Sequence, residues 1–161
     1  MMKAEDAEFV ERFWHNRKRG PVSEMLNHRI LDYNSEEKTA RAAFTADHRM
    51  RNPFGVVQGG FLAAMLDEAV TDLIVLETQF EFYVPTLTLQ LQYFRPATGD
   101  EFESFSRILY HGRRTAYLQG SLFDRDGHMV VQVQSTTQLV PSAEAGKRRN
   151  DARKEKASAP K

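Results

Sequence analysis

The sequence predicts an α+β domain in which one long, enclosed helix is wrapped by an antiparallel sheet, and three observations carry that expectation. The run FLAAMLDEAVTDLIVL after Gly60 is apolar on more than one helical face, which calls for burial on several sides. The chain after it changes period: Leu87, Leu89, Leu91 and Tyr93 alternate with Thr86, Thr88, Gln90 and Gln92, as in a strand with one buried face. EFESFSRILYH, TAYLQGSLF and MVVQVQSTTQLV continue as strands, joined by His111-Gly112-Arg113-Arg114 and by Asp124-Arg125-Asp126-Gly127 at hairpin positions.

The other elements follow in chain order. Residues 4–19 fit a short amphipathic helix with Phe9, Phe13 and Trp14 on one side, ended by Gly20-Pro21 and able to cover an edge of the domain. VSEMLNHRILDYN is ambiguous between helix and strand, although residues 29–33 alternate. A strand is expected near 40–46, broken by Asn52-Pro53 and Gly55. Arg95 to Asp100 reads as a turn, so the four later strands predict a meander. The domain organisation is a helical extension at 1–21, one domain at 22–141 and a basic tail at 142–161 that lacks any apolar residue larger than alanine.

Composition narrows the function classes. Lys plus Arg and Asp plus Glu number 22 each, so no global basic field invites nucleic acid. Residues 144–161 carry seven basic against three acidic side chains, placing a basic tail on a mildly acidic body. The chain has no cysteine, which removes disulfides, thiolate nucleophiles and cysteine metal sites. Five histidines, at 15, 28, 48, 111 and 128, show no metal-ligand spacing, and neither a GxSxG elbow nor a phosphate-binding glycine loop occurs. No metal site, membrane span or secretion signal is expected, and the default location is the cytoplasm.

The chemistry concentrates in NPFGVVQGGFLAAMLDEA, residues 52–69. Gly59 and Gly60 at a helix start leave backbone N–H groups open to a carbonyl oxygen or phosphate, though a pair of glycines also suits a sharp loop-to-helix turn. Asp67 stands eight residues after Gly59, about 12 Å along the axis at 1.5 Å per residue, too far for both to meet one carbonyl from the same helix. Two antiparallel copies of the helix would bring them together. Asp67 is then a nucleophile or general base, the alternative being that Asp67, Glu68 and Asp72 mark a wet stripe. Asn52 and Gln58 are candidate donors to an acyl oxygen or simple turn caps, and Thr86 is a candidate to position water. Arg95, Arg113 and Arg114, in turns at strand ends, are candidate phosphate contacts or solvated side chains.

The stretch from Asn52 to Ala69, followed by TLTLQLQYFRPA from Thr86 and GRRTAYL from Gly112, resembles the hotdog-fold acyl-CoA thioesterases, in the branch of phenylacetic-acid-pathway and THEM-type enzymes. The resemblance covers residues 40–140 or so. It implies a long central helix wrapped by a curved sheet, assembly into homodimers and often homotetramers, and hydrolysis of acyl-CoA thioesters with no cofactor beyond the CoA of the substrate. It places Asn52 at the loop asparagine, Gly59 at the oxyanion N–H, Asp67 at the helix carboxylate, and Thr86, or Thr88 after a slip of two, at a water-holding hydroxyl. Gln58 departs from relatives that carry histidine there. A neutral amide still donates to a thioester oxygen but exchanges no proton near pH 7. The acyl pocket is expected to use Met65 and Leu66 and to take medium-chain or aromatic groups. A non-catalytic acyl-CoA-binding protein on the same fold is the alternative, since fold alone does not fix activity.

Overall fold

The computed structural model describes residues 2–16 and 20–143. Beyond residue 143 the basic tail lies outside the described residues, as do the side chains of Phe13 and Trp14. The elements are α1 (Ala4–Asn16), α2 (Pro21–Met25), β1 (Arg29–Asn34), β2 (Thr39–Thr45), a 3-10 turn (His48–Met50), α3 (Gly59–Glu77), β3 (Phe82–Tyr83), β4 (Thr86–Tyr93), β5 (Glu101–His111), β6 (Thr115–Asp124), β7 (Met129–Gln138) and β8 (Val140–Pro141). The ambiguous VSEMLNHRILDYN resolves into both candidates, the end of α2 and then β1.

Six strands form one antiparallel sheet in the order β1-β2-β5-β6-β7-β4, and β3 pairs with β8 beside it. This order corrects the meander. β5, β6 and β7 are joined by hairpins and satisfy one another, so β4 takes the free edge of β7 and its neighbour in sequence, β5, lies three places away. The connection at 94–100 is accordingly no tight turn. It buries Ala97, whose carbonyl accepts from the Val57 N–H at 2.9 Å, and so ties the crossing to the loop before α3.

The hotdog arrangement follows from α3, which lies against β2, β4, β5, β6 and β7. Leu62, Met65, Leu66, Ala69, Val70, Leu73, Ile74 and Leu76 are all buried, as apolarity on several faces demands. The helix packs tightly on the sheet at Gly120, where a Cβ would stand 2.9 Å from Val70 Cγ1 and 3.2 Å from both Leu66 and Val133. Met65 and Leu66 are fully enclosed in this core, so they line no open acyl pocket. The helix α1 covers the β1 edge, as its amphipathic pattern suggested, setting Val10 and Phe9 beside Tyr33, Ala40, Leu73 and Leu76.

The opposite edge is bare. Leu87 and Tyr93 of β4 are 54% and 46% exposed and Leu89 and Leu91 only half-buried, because no strand lies beyond β4 in a single chain. The buried face expected for this strand is therefore incomplete. Among the described residues no helix is long and apolar enough to cross a membrane.

Candidate active site

The loop that delivers α3 is fastened from both sides. Arg51 donates through Nη1 to the carbonyls of Gly55 (2.7 Å) and Thr98 (3.0 Å) and through Nη2 to that of Gly99 (2.9 Å) and to the Asp100 carboxylate. Asn52 Oδ1 accepts from the N–H groups of Phe54 (3.0 Å) and Val56 (3.2 Å), folding the chain over Gly55, whose φ of +76° suits glycine. The Asn52 side-chain oxygen is thus a loop organiser. Its amide nitrogen is the part left to donate outward. Just upstream, Asp47 caps the 3-10 turn by accepting from Arg49 N–H and guanidinium, which holds its carboxyl down at about 2.

At the head of α3 the backbone donors on either side of the glycine pair are engaged. The Gln58 N–H donates to Met50 O (2.8 Å) and Phe61 N–H to Gln58 O (2.9 Å), leaving the N–H groups of Gly59 and Gly60. The Gln58 side chain is exposed and makes no capping bond, so it is free for an approaching acyl oxygen. Tyr93, at the far end of β4, donates its hydroxyl to the Gly59 carbonyl at 2.8 Å.

Eight residues down the helix, Thr86 Oγ1 donates to Asp67 Oδ1 at 2.8 Å. The register explains this contact. Thr86 pairs with Thr137 and Thr88 with Thr136, so β4 carries one extra residue there, a bulge that re-aims the threonine toward the helix. Thr86 rather than Thr88 meets Asp67. The threonine contacts the carboxylate directly.

Thr86 and Tyr93 thus hold opposite ends of the motif from opposite ends of one strand. A single chain keeps its glycines and its own Asp67 apart. The expected arginines divide in the same way. Arg113 and Arg114 sit in the β5–β6 hairpin at the Thr86 end, where the Arg114 carbonyl accepts from Leu139 N–H, while Arg95 follows Tyr93 at the other end. All three are exposed.

A second polar cluster gave no sequence signal. His28 is fully buried, stacked on Phe44 with centroids 4.7 Å apart, and its Nδ1 lies 3.5 Å from both Glu68 Oε2 and Asp72 Oδ2; Ser23 Oγ donates to Glu68. Glu68 and Asp72, one turn apart, therefore face Ser23 of α2 and the buried His28 just before β1, which overturns the wet-stripe alternative for them. Forty residues separate His28 from Glu68, so no local spacing could reveal the cluster. These three residues, and separately Asp124, Asp126 and His128, are close enough to share a metal ion. A groove of about 470 Å³ lined by Arg41, Phe102, Glu103, Phe123 and Arg125, among others, includes none of the motif residues, and a site shared between two chains need not be a cavity in either.

Helix, sheet order and motif define a hotdog-fold protein, and the thioesterase superfamily profile matches residues 54–131. The chain has the hotdog fold and, over that stretch, is similar to the thioesterase superfamily. It is similar to a phenylacetic acid degradation-related protein of Ralstonia eutropha JMP134, itself only provisionally assigned as a thioesterase. The two are 27% identical over 81% of this chain and 99% of that one, with a TM-score of 0.75. The Escherichia coli PaaI protein from the phenylacetic acid degradation operon shares the fold at 13% identity (87% and 96% coverage, TM-score 0.72). A Haemophilus influenzae thioesterase does so at 18% (82% and 90%, 0.70). No curated protein gave a significant match.

Proposed function

We propose that the protein hydrolyses acyl-CoA thioesters at sites built from two chains. The observation that carries this reading is the reachable, half-buried Asp67 carboxylate held by Thr86, set on a helix whose start offers two backbone N–H groups. The free β4 edge supports the pairing. A long strand with exposed Leu87 and Tyr93 is a template for a second copy, and an antiparallel pair of chains sets the glycines of one opposite the Asp67 of the other.

In this mechanism the thioester oxygen rests on the Gly59 N–H, with Gln58 and the Asn52 amide as further donors to the developing negative charge. With Oδ1 occupied by Thr86, Asp67 uses Oδ2 to take a proton from water as the water oxygen bonds to the acyl carbon. The tetrahedral intermediate then expels the CoA sulfur, which leaves with a proton, and the free acid remains. No metal is required. Arg113 and Arg114, at the Thr86 end, are the phosphate contacts of first choice, with Arg95 serving a CoA that lies the other way. The acyl group lies against half-buried Phe61, Ala64 and Leu89, a lining suited to medium-chain or aromatic acids.

Free-thiol release across a panel of aliphatic and aromatic acyl-CoAs tests the reading. Turnover on at least one class is expected. Activity on none, with CoA still bound, would favour a non-catalytic acyl-CoA-binding role.

A further inference from the structure

The Gly59–Gly60 peptide is held more tightly than a helix start requires. The Gly59 carbonyl is already placed to accept within the helix, yet the Tyr93 hydroxyl adds a second bond at 2.8 Å. The tyrosine ring also closes over the glycine, since a Cβ on Gly59 would stand 3.2 Å from Cζ and Oη. Beside Gly60 the space is open, with nothing within 4 Å of a hypothetical Cβ. Burial raises the tyrosine pKa, so the hydroxyl remains a donor at neutral pH.

A trans peptide is planar, so its C=O and the following N–H point in opposite directions and orienting one orients the other. A donor on the carbonyl also withdraws electron density from the amide and makes its proton a stronger donor. The geometry points to Tyr93 as a positioning residue for thioester hydrolysis: it fixes and polarises the Gly59–Gly60 peptide, so that the Gly60 N–H joins that of Gly59 as a second donor to the acyl oxygen. This role rests on the thioesterase reading above. Negative charge on that oxygen is largest in the transition state, so the contribution falls on kcat and little on KM.

Tyr93→Phe keeps the ring over Gly59 and removes only the hydroxyl. On the best acyl-CoA of the panel, kcat is expected to fall about 5–10-fold, the worth of one neutral hydrogen bond, with KM within about twofold. In ¹⁵N-labelled protein the Gly60 amide proton should move upfield in the variant. An unchanged Gly60 resonance overturns the polarisation, and a shifted resonance with unchanged kcat overturns the role in the reaction. If the wild-type protein hydrolyses no acyl-CoA, the thioesterase reading falls and takes the catalytic half of the proposal with it. The Gly60 resonance then decides separately whether Tyr93 governs the peptide.

Discussion

Asp67 and Glu68 are adjacent in sequence and opposite in circumstance. One step of about 100° around the helix turns Asp67 toward the bare β4 edge, where a single threonine hydroxyl meets it. The same step turns Glu68, and Asp72 one turn on, into the space closed by α2 and β1, where His28 is completely buried and Asp72 only 3% exposed. Under the proposed mechanism, the two acids of the same helix thus divide the work. The first is reachable and held lightly, as chemistry on a ligand needs; the second group shares a buried imidazole between two carboxylates, as fixing a helix in place needs.

The largest expected effect breaks the open cluster. Asp67→Asn should lower acyl-CoA turnover by about 10²–10⁴-fold, the usual contribution of a general base, while the melting temperature stays near wild type. Wild-type turnover in that variant would remove Asp67 from the mechanism. Breaking the closed cluster should do the reverse. His28→Ala leaves the buried Asp72 and the half-buried Glu68 without the imidazole and should cost about 3–5 kcal/mol of stability by denaturant titration, with turnover per folded molecule little changed. An unaltered unfolding midpoint would show that the cluster does not secure the helix.

Smaller effects sharpen the contrast. Thr86→Val removes the hydrogen bond to Asp67 at nearly constant shape, and kcat should fall about tenfold in a stopped-flow thiol assay; Thr88→Val, two residues along, should leave it unchanged. Equal losses from both would mean that the bulge does not single out Thr86. The least effect concerns Asp47, outside both clusters. Its carboxyl titrates at about 2 in the folded chain because of Arg49, below the ~3.9 of an unfolded aspartate, so its cap contributes above about pH 4 and is lost as the pH falls through 2. Asp47→Asn should flatten that part of an acid-unfolding curve.

The helix and strands were legible because their cause is local. Apolarity around the whole of residues 62–76 demanded enclosure, and the period-two alternation of the strands survives in the register. Gly127, at φ +80°, closes the β6–β7 hairpin where the turn residues placed it. What escaped was set by the partners that elements choose across the fold. That β4 leaves its neighbour β5 for the edge of β7 depends on which edge remains free, and the exposure of Leu87 and Tyr93, on a face expected to be buried, follows from that choice. His28 reads as one scattered histidine among five until the link between α2 and β1 brings it against Glu68 and Asp72 of α3. Within the site, the residue types of Asn52, Gln58 and Thr86 raised their candidacy. That Asn52 would spend its oxygen on its own loop, and that Thr86 would touch Asp67, required coordinates.

Arg51 has a consequence for access. One guanidinium binds three carbonyls and a carboxylate drawn from two segments, so the arm carrying Asn52 and Gln58 and the crossing at 98–100 form one stiff hinge-free block. A doorway framed by such a block does not swing. Under the two-chain site proposed above, substrate admission and product departure would therefore run through the seam between the chains rather than past a moving flap.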